Sequence, residues 1–375
     1  MRKKLLMTSL KMKINCGLRE VVNLHSELEL ESICKLSWQH KALLDIKRCR
    51  TEYYGGSEYH CESCKRDCSI LLSCRNRHCP QCGYRDTEEW IEARKTELID
   101  CRYFHLVFTV PASLRNPCLL NQRKAYGAIM KAASESILLL CSDSHYMGGK
   151  PAILSIMHTW NRQGDHHPHV HCLVSSVGET PEGEVIKARR DDWLIPINAL
   201  SKIFRAKVRD SFKELQIDVL AKNWQIKWNV FAKASVQGRE KVLHYLARYV
   251  FKTAISNSNI ISIDSAERVK YKYLTNKGEL KTVLKPSTEF IERFIKHILP
   301  PGFTRVRYSG LWAPSNRKKL NNIQSICLLE ENSKKSNKEI DRKSIPTELK
   351  CPHCKKAELS FIKIIPAMKG RSPPK

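Results

Sequence analysis

Acidic residues are scarce in this chain: 38 Asp and Glu stand against 65 Lys and Arg in 375 residues, leaving a formal charge of +27. So large a deficit excludes an indifferent surface and points to a polyanionic partner. Long apolar runs are missing too. No stretch approaches the roughly 18–20 residues of a membrane span, and Lys11 and Lys13 interrupt the apolar start before it makes an export signal, so no membrane partner and an intracellular location are expected. There is no Gly-x4-Gly-Lys-Ser/Thr loop, which removes the usual phosphate cradle of a nucleotide cofactor. No internal repeat suggests a solenoid. The chain is not poor in apolar residues, however: 42% hydrophobic against 27% charged excludes a wholly disordered polypeptide.

Cysteine is plentiful. Six of the sixteen lie between Cys61 and Cys82. In a reducing compartment thiols are metal ligands or small core residues, and clustering favours ligands. Cys61-x2-Cys64 and Cys79-x2-Cys82 each place two thiolates on one side of a tight loop, and the two pairs together predict a closed, structural tetrahedral zinc site. A zinc ion also answers how residues 49–84, rich in Arg and Gly and short of large apolar groups, are held. Cys49, Cys74 and His78, with Cys68, are left over for a second site, alternative pairings being equally allowed. Arg75, Arg77 and Arg85 around the module are expected to face phosphate. Cys351 and Cys354 offer half a site without identified partners.

Histidine is clustered as well, with five of the 14 between His158 and His171. In His169-Val-His171 the imidazoles are two residues apart, so on a strand they share one face. His158, on a preceding strand-like run, can add a third ligand across a hairpin and leave positions open for substrate. A lone His-x-His usually just faces solvent, but His158, Asp165, His166 and His167 nearby favour a metal. On a predicted helix over 239–255, offsets of four and three residues put Tyr245, Tyr249 and Lys252 along one stripe, with Arg248 beside them. Tyrosines at that spacing more often pack or stack than react. A phenol needs a polarised phosphate, a base or a cation to become a nucleophile.

Further elements are legible. The run 103–110 reads as a buried strand, 152–160 and 169–175 as a hairpin, and 226–236, 260–263, 269–274 and 303–308 as strands. Helices are predicted at 28–46, 87–99, 121–140, 200–215 and 288–298. Strands mixed with helices and joined as hairpins predict an α+β fold with an antiparallel sheet. The units expected are a basic flexible arm over 1–24, a helical and zinc-binding domain over 25–100, a mixed helix-and-strand domain over 101–317, and a basic linker and tail over 318–375.

Ser73-Cys-Arg-Asn-Arg-His-Cys-Pro-Gln-Cys82, Tyr103-Phe-His-Leu-Val-Phe-Thr-Val-Pro111, His158-Thr-Trp160, His166-His-Pro-His-Val-His-Cys-Leu-Val174 and Tyr245-Leu-Ala-Arg-Tyr249 occur in this order. With Cys49-Arg-Thr and Ala254-Ile-Ser-Asn257, they make residues 34–317 resemble the rolling-circle transposases of insertion-sequence family ninety-one, in the two-tyrosine HUH endonuclease superfamily. The resemblance implies an amino-terminal zinc-binding domain and an HUH-type catalytic domain whose central antiparallel sheet is flanked by helices. His169 and His171 match the family's pair of metal ligands, and Tyr245 and Tyr249 its two tyrosines. His158 as third ligand follows by similarity to plasmid relaxases, with Asp165 or a residue of the tyrosine helix as the competitor. Cys68 has no counterpart in the family pattern, and Tyr308 stands where a histidine is common.

The expected activity is nicking and rejoining of single-stranded DNA at element ends, hairpins included, through a 5′-phosphotyrosine link. Mg²⁺ or Mn²⁺ would be the catalytic cofactor, zinc the structural one, and the prokaryotic nucleoid the place of action. A plasmid-type replication initiator or relaxase would use the same residues. A non-catalytic zinc-dependent DNA-binding regulator would leave the tyrosines and histidines unexplained.

Overall fold

The computed structural model describes residues 16–82, 90–94, 97–190, 194–236, 242, 250, 252–275, 278–332 and 350–368. Three short helices open it: α1 (Leu18–Asn23), α2 (Glu27–Ile33) and α3 (Ser37–Lys47). Ser26 starts α2 with a capping box, its Oγ accepting from the Glu29 N–H at 3.2 Å while Glu29 accepts from the Ser26 N–H at 2.7 Å. The arm expected over 1–24 is therefore ordered from α1 onward. Leu18, Val21 and Val22 form an apolar face and are fully buried.

The Cys-rich segment carries a hairpin that composition alone does not suggest, β1 (Gly56–Cys61) and β2 (Arg66–Leu71). Then come β3 (Tyr103–Thr109), α4 (Arg115–Leu120), α5 (Gln122–Cys141), β4 (Lys150–Trp160), β5 (His166–Glu179), β6 (Val185–Lys187), α6 (Ile197–Glu214) and β7 (Asn229–Val236). A smaller sheet follows, β8 (Ile260–Ile263), β9 (Arg268–Leu274) and β10 (Leu280–Pro286), then α7 (Ser287–Ile295), β11 (Val306–Gly310), α8 (Arg317–Asn332) and β12 (Ser360–Ile365).

The central sheet has the order β11-β4-β5-β3-β7, with β6 added at β5, and every pairing is antiparallel. Both faces are covered, which is why β4 reads as a nearly continuous apolar run. On one face Phe104, Leu106, Phe108, Val170, Cys172 and Val174 pack against α5 and α6. Leu200, Phe204, Val208 and Phe212 recur every four residues along α6, and all are buried. On the other face Tyr103, Leu154, Ile156 and Leu173 share a core with Val242, Val250 and the α8 residues Leu320, Ile323 and Cys327.

A third core joins residues far apart in the chain. Leu18, Leu30, Leu43 and Ile46 pack with Ile260, Val269, Phe290 and Phe294, so β8–β10 and α7 lie on the amino-terminal helices. Arg77 reinforces this junction by donating to the carbonyls of Phe303 at 2.6 Å and Pro300 at 2.8 Å. The chain beyond 317 is likewise more than a linker, since α8 is buried along one side and β12 pairs with β1. No helix among the described residues is long and apolar enough to cross a membrane.

Candidate functional site

Three groups of metal-ligating side chains converge among the described residues. The first is the histidine group. β4 and β5 pair so that His158 faces His169 and Ile156 faces His171. Directly opposed residues share a face, as do residues two apart, so all three imidazoles lie on one side of the sheet. Their ligand nitrogens lie within 4.8 Å of one another. Asp165 is not among them: it pairs with Arg293 at 2.8 Å and accepts from Asn161 at 3.1 Å.

Local bonds fix the rings. Nδ1 of His169 donates to the His167 carbonyl at 2.7 Å, and Nδ1 of His171 meets Nε2 of His105 at 2.9 Å. With Nδ1 so committed, Nε2 is the nitrogen each ring presents to a cation. Burial pushes the His169 imidazole down to about 4 and that of His171 well below its ordinary range, with the neighbouring histidines and Lys252 adding to the effect. Both rings are therefore neutral at pH 7, the form that ligates, and the donor set fits a divalent cation.

Two residues of this site escape sequence reasoning. His105 sits on β3 opposite Leu173, in the same alternation as His171, and its ring stacks on that of His171 at 5.1 Å. Arg305 lies 5.0 Å from the Trp160 ring centre and donates to the carbonyls of Met157 at 3.1 Å and Lys252 at 2.8 Å. Burial, with the charge of Arg77, lowers its guanidinium to about 9, still charged at neutral pH. Only strand register could have revealed His105. For Arg305 the sole sequence signal is a cation inside an otherwise strand-like run.

Of the catalytic candidates, Tyr245 and Tyr249, with Arg248, lie outside the described residues. Val242 and Val250 flank the tyrosines and are buried with Leu154, Ile156 and Leu173 on the sheet face that carries the histidines. Lys252 follows directly. Its ammonium is held below its ordinary range by burial and by Arg162.

The other two groups are thiols, and their membership corrects the pairing expected from spacing. Cys79 and Cys82 do not join Cys61 and Cys64; they meet Cys49 and Cys74 instead, with all four sulfurs within 4.8 Å. Cys49 to Cys82 is 3.6 Å and Cys74 to Cys82 is 3.5 Å. Four sulfurs about 2.3 Å from one zinc stand about 3.8 Å apart at the corners of a tetrahedron, so this set fits a closed structural zinc site. The reason for the exchange is the β1–β2 hairpin, which carries Cys61 and Cys64 away at its tip while Cys49, just after α3, and Cys74 stay at its base. There Cys61 and Cys64 meet Cys351 and Cys354.

His78 is outside both thiol sets. Its Nε2 accepts from the Leu299 N–H at 3.2 Å and from Arg77 at 3.3 Å. Arg77 donates to carbonyls of residues 299–303, and both Arg75 and Arg77 are exposed; Arg85 lies outside the described residues.

Comparison with known proteins bears on the family. Residues 25–110 match a family model described as "Transposase zinc-binding domain", and residues 152–320 match one described as "Putative transposase". A Sinorhizobium fredii (strain NBRC 101917 / NGR234) protein named "Putative transposase y4qJ" is 33% identical, over 72% of this chain and 74% of that protein. The transposase for insertion sequence element IS801 of Pseudomonas savastanoi pv. phaseolicola is 25% identical, over 76% of this chain and 71% of that protein. Among solved structures, the conjugative relaxase TrwC in complex with oriT DNA is 12% identical over 60% of this chain and 73% of that one, at a TM-score of 0.25, where two chains need not share a topology. With its zinc-binding amino-terminal domain and the extent of its likeness to y4qJ, the chain belongs to the insertion-sequence transposases of family ninety-one.

Proposed function

We propose that this transposase nicks and rejoins single-stranded DNA through a tyrosine–phosphate intermediate, in the rolling-circle manner. One observation carries the reading: three imidazoles converge on the sheet face against which Val242 and Val250, on either side of Tyr245 and Tyr249, are buried. His158, His169 and His171 would hold Mg²⁺ or Mn²⁺, which when bound supplies Lewis-acid polarisation of a non-bridging phosphate oxygen. Tyr245 or Tyr249 attacks the phosphorus in line. Its phenolic oxygen forms the new P–O bond, the P–O3′ bond breaks, and the free 3′-OH leaves to prime synthesis or to attack a second linkage. Lys252 and Arg305 place two cations beside the reacting phosphate, where charge grows in the transition state. A second tyrosine lets one chain hold one strand end while cutting another. The exposed arginines and the overall charge of +27 supply sequence-independent grip on the backbone.

The test is incubation with single-stranded oligonucleotides carrying the element's ends, with and without EDTA. A metal-dependent covalent adduct is expected. Tyr245→Phe and Tyr249→Phe should each impair a different strand-transfer step, and full cleavage and transfer in both variants would remove the tyrosines from the mechanism.

A further inference from the structure

Cys351 and Cys354 lie beyond both family matches, which end at residues 110 and 320. They belong to the segment of residues 350–368, which folds back onto the amino-terminal hairpin. β12 pairs with β1 from Gly56 opposite Ile365 to His60 opposite Ser360, completing a three-stranded sheet in the order β12-β1-β2. At one end of this sheet two turns meet, and they are built alike.

In Cys61-Glu-Ser-Cys64-Lys65, the Lys65 N–H donates to the Cys61 carbonyl at 2.8 Å and Lys65 has φ 53°. In Cys351-Pro-His-Cys354-Lys355, the Lys355 N–H donates to the Cys351 carbonyl at 2.9 Å and Lys355 has φ 58°. Backbone N–H groups of Ala357 and Lys356 reach the Cys354 sulfur, and those of Cys354 and His353 the Cys351 sulfur. Left-handed lysines after two matching Cys-x2-Cys loops are uncommon enough to need a reason. Turning two sulfurs of each loop toward one point supplies it. Cys61 and Cys354 stand 3.6 Å apart, Cys64 and Cys351 3.7 Å, and all four sulfurs lie within 4.8 Å of one another. These separations are close to the edge of about 3.8 Å expected of a tetrahedral zinc tetrathiolate, and well beyond the roughly 2.05 Å of a disulfide.

Among the described residues, the strands of this sheet bury few large apolar side chains of their own. Ile70, Phe361, Ile362 and Ile364 are exposed, and beyond the strand ladders the contacts include a Tyr59–Phe361 ring pair, a Lys363–Glu58 ion pair, a His60–Asp67 contact at 2.6 Å and a bond from the Met368 N–H to the Tyr53 carbonyl at 3.3 Å. A sheet without a core of its own needs another fastening. We infer that Cys61, Cys64, Cys351 and Cys354 hold a second structural zinc ion, which clasps the carboxyl-terminal segment onto the amino-terminal zinc-binding domain across 287 residues of chain. The ion is separate from the one at Cys49, Cys74, Cys79 and Cys82, and the inference does not depend on the cleavage mechanism.

The test is metal content of the full chain by elemental mass spectrometry. Two zinc ions per chain are expected, falling to one in the Cys351→Ser/Cys354→Ser variant, to one in Cys61→Ser/Cys64→Ser, and still to one when all four are changed. Combining Cys79→Ser/Cys82→Ser with either pair should leave none. A Cys351→Ser/Cys354→Ser protein that keeps both ions overturns the inference, as does a loss seen only with the hairpin pair. Should the variants not fold, the unmodified protein answers by alkylation. Cys61, Cys64, Cys351 and Cys354 should be protected together and become reactive together on chelation. Alkylation of Cys351 and Cys354 before chelation, or recovery of Cys61–Cys354 or Cys64–Cys351 disulfides in place of zinc, overturns it.

Discussion

His105 gives the most exacting check of the metal site, because it touches a proposed ligand without being one. It is 7% exposed, and its Nε2 lies 2.9 Å from Nδ1 of His171. His105→Ala removes the partner that fixes the His171 ring and its tautomer. Loss of such a support typically costs 10–100-fold in metal affinity, or about 1.4–2.7 kcal/mol. His105→Gln restores an acceptor near the lost Nε2, so it should recover most of that loss. The assay is the yield of covalent protein–oligonucleotide adduct as a function of Mg²⁺ or Mn²⁺ concentration. For His105→Ala the midpoint should rise by about 10–100-fold while the adduct at saturating metal is largely kept. For His105→Gln it should lie within a few-fold of the parent. An unchanged midpoint in a folded His105→Ala protein would refute the assignment of His171 as a ligand oriented by His105. Loss at all metal concentrations in both variants would instead mean that His105 acts on the reaction directly.

Three other outcomes test the surrounding structure. Arg77→Ala removes donations to the carbonyls of Leu299, Pro300 and Phe303, so it should destabilise the protein by about 1.5–3 kcal/mol in urea unfolding. It should leave the salt dependence of DNA binding unchanged, whereas Arg75→Ala should lower that slope by about one. Gly310 has φ 62° and its Cα faces the Pro151 carbonyl oxygen, into which a Cβ would be driven; Gly310→Ala should cost about 2–4 kcal/mol, read as a lowered Tm. Burial lowers His166 to about 3 and His297 to about 4, against an ordinary 6.5. Between those values the unfolded chain binds more protons than the folded one. Their contribution is therefore complete above pH 6.5 and falls as the pH drops, by about 1.4 kcal/mol apiece at pH 5.5. Stability that is flat between pH 7.5 and 5.5 would show that these rings are not held neutral.

Features that depend on near neighbours were legible in the sequence. Alternation and apolar runs marked β3, β4 and β5, and the four-residue spacing of Leu200, Phe204, Val208 and Phe212 marked α6. His169-Val-His171 declared a shared face because strand alternation is a local property. The Cys-x2-Cys loops declared ligand pairs for the same reason. Isolated short segments fared worse. The β1–β2 hairpin was hidden by a composition poor in large apolar groups, and α1 by a stretch too short to show a period.

What the sequence by itself determined, then, is which loops and strands could bind metal, and the family to which those motifs point. Which loops meet is a matter of long-range pairing. Cys61 and Cys64 are nearer in sequence to Cys79 and Cys82 than to Cys351 and Cys354, yet the hairpin and the β12–β1 ladder bring the distant pair to them. The register of β3 against β5 put His105 on His171, and the junction with residues 299–303 drew the Arg77 guanidinium onto backbone carbonyls. Spacing along the chain limits the geometry of neighbours only. Contacts across tens or hundreds of residues follow from how strands align and which faces are buried together, and only the tertiary structure fixes those.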